Sequence, residues 1–375
     1  MGFISLGKID KNLISIVIGC VFCYLNRLLT KYEGTLLFKN VILTNIFISF
    51  SVFLAGIPCI ILNMRSKGVK SIDIDKINTT ITKSFLENNY KGKKEEIIKG
   101  KNRYIILSSV LYCIQAFFFI TTIKIKANCW IWYILITSII NILIFKVKLY
   151  KHHYLSVVII ILIEIIIDLF LGNLQNDIRN NLLFLLLRFL REILLSLHFV
   201  LVKYTMEKKF ASVYEMSLFN GIINLIILGI FSILDYFFFG IDNYEEYFNN
   251  FNTKELFVIL GVMITQLSLN LSLLFTIKNN SSFHVFIIFV FGQMAYINYT
   301  INSIIIIICL IFVLFLSLIF NEIIEINFWD LSYNTKINII KRAELEKGNI
   351  MDDDNSSYIE KGDYLIELSN EQNLN

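Results

Sequence analysis

The apolar run 182–202 carries five polar or ionisable residues: Arg188, Arg191, Glu192, Ser196 and His198. At 100° per residue they fall on one arc of a helix, so the run has a polar face. Ionisable groups inside a bilayer are costly and usually face a bundle interior or a water-filled cavity. Arg188 lies about 9 Å along the helix from the outer end of the run, and Glu192 about 15 Å. Snorkelling alone does not reach water from that depth. Two guanidinium groups there can hold an anion, and a carboxylate can take a proton or a counter-charge. The run 155–171 adds Glu164 and Asp168, four apart and so on one face, with Glu164 near the middle. A purely structural network is the competing account, with Arg188–Glu192 as an i,i+4 pair and Glu164–Arg191 bridging two helices. Neutral polar residues join the set: Ser108, Tyr112 and Gln115 share a face of run 104–122, Gln266 and Asn270 stand in run 256–275, and Gln293 in run 283–300. The candidate substrate-binding residues are therefore Arg188, Arg191, Glu192, Glu164, Gln115, Gln266, Asn270 and Gln293. For the neutral ones, interhelical hydrogen bonds worth about 0.6 kcal/mol each are an equally good explanation.

These residues need apolar helices to position them, and the composition supplies those. Of 375 residues, 56% are hydrophobic and 17% charged, and the mean hydropathy is +0.66. Soluble domains run nearer 45–50% apolar and about 25% charged. The lipid bilayer is thus the expected solvent. Apolar runs at 13–29, 41–62, 104–122, 127–145, 155–171, 182–202, 213–234, 256–275, 283–300 and 303–321 reach or approach the ~20 residues that cross the hydrocarbon core. They lack the alternation of a barrel strand, so helices are expected, because every backbone group must be satisfied within the lipid. The expected fold class is an all-α membrane protein of ten transmembrane helices.

Basic residues give the orientation. Connections on one side carry 18 Lys and Arg against 6 opposite, most of them between Arg65 and Arg103. The heavier side is expected to be cytosolic, which places both termini there. The net charge of +4 sits in these connections and is no argument for a nucleic-acid partner. Residues 1–322 form the expected transmembrane domain, with the basic loop 64–103 within it. Residues 323–375, with Asp352, Asp353 and Asp354, form an acidic tail expected to be disordered. The acidic, aromatic stretch from Asp235 to Glu255 falls on the non-cytosolic side as an interfacial segment. A repeat is also visible: Leu25, Leu29, Lys31 and Tyr32 recur as Leu197, Leu201, Lys203 and Tyr204, 172 residues later. The strings end the first and sixth runs, five spans apart, so the halves 13–171 and 182–321 are expected to be inverted five-helix repeats.

At this point the chain resembles a known family. Lys146-Val147-Lys148-Leu149-Tyr150-Lys151-His152-His153-Tyr154 resembles the basic connection between the fourth and fifth spans of drug/metabolite transporters. The similar branch is the solute carriers that include nucleotide-sugar transporters and orphan relatives. Glu215-Met216-Ser217-Leu218-Phe219-Asn220-Gly221 is similar to that branch's entry into span seven. Leu29 to Glu33 resembles the end of its first span, and Asn321 to Glu325 the exit from its tenth. The resemblance implies a ten-helix bundle of two inverted repeats, working by alternating access in an organelle membrane of Golgi, ER or vacuolar type. Its substrate would be a small-molecule solute: a nucleotide sugar, a sugar phosphate or another metabolite. This chain has Trp130 where orphan relatives carry an arginine in span four, and only His284 and Gln293 where they carry a polar series in span nine. Such departures support a second reading, a non-transporting scaffold or chaperone of the same fold.

Other chemistry is not expected. No Gly-rich phosphate loop, nucleophile elbow or zinc-protease helix is present, so the chain is not read as an enzyme, and no cofactor is expected. The six cysteines all lie in apolar runs, and Cys20 and Cys23 read as small lipid-compatible residues rather than a redox pair. His152 and His153 read as an interfacial anchor, because the sequence places no further metal ligand beside them.

Overall fold

The computed structural model describes residues 4–6, 13–32, 40–68, 101–121, 132–145, 147, 149–170, 173–209, 211–240, 242, 244–249, 253–296 and 301–326. The expectations for residues 69–100, the bulk of the basic loop, and for the tail beyond 326 lie outside the described residues.

The described residues are overwhelmingly helical. Each apolar run overlaps a helix: α1 (Leu13–Tyr32), α2 (Val41–Gly68), α3 (Lys101–Thr121), α4 (Trp132–Phe145), α5 (Lys151–Phe170), α6 (Asn173–Lys208), α7 (Val213–Leu234), α8 (Thr253–Asn279), α9 (Val285–Gln293) and α10 (Ile301–Phe320). Among the described residues, three stretches are long and apolar enough to cross a membrane: Ile42–Ile61, Val213–Phe238 and Glu255–Asn279. Leu13–Leu29, Trp132–Phe145, Lys151–Ile163, Ser282–Gln293 and Ile305–Phe320 are shorter apolar helices. Large apolar side chains such as Val17, Ile230, Phe257 and Ile308 point outward and lie more than half exposed. That surface suits lipid and not water.

Helix ends depart from the ends of the apolar runs. Helix α6 begins at Asn173, nine residues before its run, and α2 continues to Gly68, past Arg65 and Lys67. An apolar run stops where the hydrocarbon stops, whereas a helix continues in water while its backbone bonds are made. The aromatic segment after α7 continues as a π-helical turn, Asp235–Phe239. It is closed by Gly240 in the left-handed region at φ 62°, where glycine carries no Cβ penalty. The expected tail is ordered at its start. Ile324–Ile326 pairs antiparallel with Ile4–Leu6, so both described ends of the chain meet on one face.

The tightest packing is between α2 and α7. A Cβ on Gly56 would collide with the backbone of Leu218, and one on Gly221 with the backbone of Phe53. Only glycine at both positions lets the two backbones touch, as small residues do in membrane helix pairs. Hydrogen bonds surround this crossing. Ser217 Oγ donates to the Val52 carbonyl at 2.7 Å, Asn270 Nδ2 of α8 donates to Ser217 Oγ at 2.8 Å, and Ser109 Oγ of α3 donates to Asn220 Oδ1 at 2.7 Å. Around it, α1 packs on α8 and α9, α6 on α3 and α4, α2 on α8, α7 on α3, and α5 on α10.

Gly221→Ala forces the helices apart and should cost about 1–3 kcal/mol. Gly229, on the same helix with open space around it, should tolerate alanine or gain up to about 1 kcal/mol from helix propensity. Thermal unfolding of the two purified variants checks the contrast.

Candidate functional site

Helix α6 carries the charged residues because its polar arc turns toward α3 and α4. Glu192 is the centre: its side chain is 1% exposed, Arg191 Nη1 donates to its Oε1 at 2.6 Å, and Arg188 Nε lies 4.0 Å from the same oxygen. The arginine side chains are 17% and 16% exposed. The i,i+4 contact anticipated from the sequence is thus present, and the shorter one comes from the neighbouring Arg191. A charge-assisted bond at that distance is a strong one, and removing either partner leaves a buried charge.

Helix α3 supplies the facing wall. Ser108, Tyr112 and Gln115 line one face, as their spacing predicts. His198 Nδ1 lies 2.8 Å from the Ser108 carbonyl and 3.1 Å from Ser108 Oγ, and the His198 and Tyr112 rings are 5.1 Å apart. The carbonyl can only accept, so Nδ1 carries the proton. Tyr112 lies in the field of Arg191, and Tyr133 of α4 in that of Glu192. Gln115 is 7% exposed, and its Oε1 has no hydrogen-bond partner among the described residues.

Depth follows from the cross-helix contacts. Lys101–Glu215 and Ser109–Asn220 set α3 and α7 side by side in parallel. Tyr104–Tyr204 and Ser108–His198 set α3 and α6 antiparallel. Counting at 1.5 Å per residue from the nearer contacts, Ser109–Asn220 and Ser108–His198, Gln115, Arg191, Glu192 and Asn224 share a layer about 5 Å thick, some 20 Å from the Lys101 end. Asn224 is 1% exposed, and neither of its side-chain polar atoms has a hydrogen-bond partner among the described residues; Ser196 Oγ, about one turn away, is in the same condition. Buried polar groups are nearly always satisfied, so these atoms on α3, α6 and α7 leave hydrogen-bonding capacity at this depth.

The other predicted residues are placed as follows. Gln266 Oε1 accepts from Asn26 Nδ2 at 3.2 Å, and that amide also donates to Thr265 Oγ1 at 3.1 Å. Asn270 is bonded to Ser217, as described. The bonds of these two residues run to α1 and α7, not to the α6 charges, which makes them helix-joining groups. Gln293 is half-buried at the end of α9. Glu164 lies on α5, which packs against α6 and α10; its side chain and that of Asp168 lie outside the described residues. Asn224 escaped the sequence reading because a single asparagine in an Ile-rich and Asn-rich chain carries little signal. Arg27 was a stronger signal left unused. It is an ionisable residue inside the first apolar run, its Nη1 donates to the Phe289 carbonyl at 3.4 Å, and Gly292 leaves room for its stem.

No family model matches the chain, and no curated protein matches it.

Glu192→Gln leaves both guanidinium groups beside a neutral amide at depth. It should lose about 3 kcal/mol or more of stability. Glu215→Gln, which breaks a half-exposed pair with Lys101, should lose under about 1 kcal/mol. Detergent-resistance or melting curves of the two variants measure the difference.

Proposed function

We propose that this protein is a secondary-active solute transporter of the drug/metabolite type, with a substrate that carries negative charge. The observation that carries this reading is the convergence of Arg188 and Arg191 on wholly buried Glu192, in the same layer as the unsatisfied Gln115 and Asn224. Such a layer can exchange internal pairing for a bound anion and polar groups on a solute. Small metabolites bearing phosphate or carboxylate, nucleotide sugars and sugar phosphates among them, fit that chemistry.

The packing supports an inverted repeat of α1–α5 and α6–α10. Exchanging the two sets maps α1–α8 onto α6–α3, α1–α9 onto α6–α4, and α2–α8 onto α7–α3. The pairs α2–α7 and α5–α10 map onto themselves. Gly56 against Leu218 and Gly221 against Phe53 are the two halves of one symmetric crossing. Asn26 stands one residue after Leu25, and His198 one after Leu197. Each bonds across to the helix that the exchange predicts, α8 and α3 respectively. Repeats of this kind serve alternating access, with the site between halves. The meeting of residues 4–6 with 324–326 fits an even number of crossings, with both termini in the cytosol of an organelle membrane.

Purified protein screened against nucleotide sugars, sugar phosphates, amino acids and cationic drugs should be stabilised by an anionic class. Binding to the folded state alone contributes about 2.7 kcal/mol at a hundredfold excess over Kd. Arg191→Gln should weaken that response roughly 10- to 100-fold, as expected for one lost charged hydrogen bond. Normal folding with an unchanged ligand response would instead favour the scaffold reading. Tag accessibility on intact organelles should find both termini and residues 69–100 exposed to the cytosol; lumenal exposure of 69–100 would defeat the topology.

A further inference from the structure

A second cluster lies away from the α6 charges, where α5 begins and α10 ends. His152 and His153 open α5. Glu322 follows α10, 170 residues away from His152 in sequence. His152 Nε2 is 3.1 Å from Glu322 Oε1, and His153 Nε2 is 3.8 Å from the same oxygen. One ligand atom from each residue lies within 4.8 Å of the other two. Tetrahedral zinc with bonds of about 2.0–2.1 Å holds its ligand atoms about 3.3 Å apart. The two separations to Glu322 Oε1 straddle that value and all three ligand atoms lie within 4.8 Å of one another, so side-chain shifts would seat an ion.

The position of Glu322 adds a second argument. The Ile323 N–H donates to the Leu318 carbonyl at 2.9 Å, and the Glu322 N–H to the Ile319 carbonyl at 3.0 Å. This is the helix-ending motif in which the left-handed residue is usually glycine. Glu322 occupies it at φ 57°, a conformation that residues with a Cβ disfavour. A glutamate at this position gives up backbone ease and gains a carboxylate aimed at two imidazoles. Both histidines are largely buried, at 4% and 13% side-chain exposure.

We propose that His152, His153 and Glu322 bind a divalent transition-metal ion of the zinc class, which joins the start of α5 to the end of α10. Two imidazoles and one carboxylate leave a fourth position for water. The Tyr150 N–H donates to His153 Nδ1 at 3.1 Å, so the His153 proton sits on Nε2 while that bond is made. Loading moves that proton to Nδ1 and gives up the Tyr150 contact.

Full-length protein, purified and stripped with a chelator, should take up one Co²⁺ with the visible bands of a tetrahedral site and release it to Zn²⁺. Glu322→Gly is the informative variant, because glycine suits the left-handed position and keeps the helix end intact. It and His153→Gln should each weaken Co²⁺ binding at least 100-fold. In the wild type, Zn²⁺ should protect His153 from modification by diethyl pyrocarbonate. Absence of stoichiometric Co²⁺ uptake by wild type would overturn the proposal. So would bands that survive both substitutions, which would locate the ion at cysteines, or His153 modification indifferent to Zn²⁺.

Discussion

The backbones of α2 and α7 touch, and the rest of the bundle is arranged around that contact. In lipid there is no hydrophobic force to press helices together, so close association depends on van der Waals contact and on hydrogen bonds between helices. Gly56 and Gly221 provide the first by removing every side-chain atom from the crossing. Ser217 and Asn270 provide the second, because one hydroxyl both donates to Val52 of α2 and accepts from α8. Once that axis is fixed, α3 must lie against α7 and α8 against α2, and the outer helices follow.

The same geometry explains where charge can be stored. Helix α6 meets α3 and α4 at the side of the axis and turns its polar arc inward. Glu192 is paired there with Arg191 and Arg188, and the network is costly to break from either side. Closer to the ends of the helices, charges serve as fasteners. Lys203 donates to the carbonyls of Lys278 and Asn280 at 3.2 and 2.8 Å, and so caps the C-terminal end of α8. On the opposite face, Asp242 accepts from the Leu43 N–H at 2.9 Å at the start of α2, and its own N–H donates to Asp235 at 3.0 Å.

Apolar length and content determined, from the sequence alone, that the described residues are overwhelmingly helical and which stretches the helices overlap, because continuous apolar runs without strand alternation suit helices. The periodicity of 3.6 also determined that Arg188, Arg191 and Glu192 share a face, and that Ser108, Tyr112 and Gln115 do. The string that ends in Tyr32, near the end of α1, recurs as the one that ends in Tyr204 in α6.

Tertiary structure decided what those faces meet. Spacing along one helix cannot say that Glu192 pairs more closely with its neighbour Arg191 than with Arg188 four residues away, since rotamers choose between them. It cannot say that Gln266 and Asn270 are spent on α1 and α7 while Gln115 and Asn224 are left unsatisfied, because that depends on the register of α3 against α6 and α7. His152 and His153 had no visible third partner in the sequence. Glu322 became one only when α10 packed on α5 and its last turn closed through a left-handed residue. Local chemistry is written in the order of residues, but a site is made by helices that are distant in the chain, and their contacts are set by packing that no single stretch encodes.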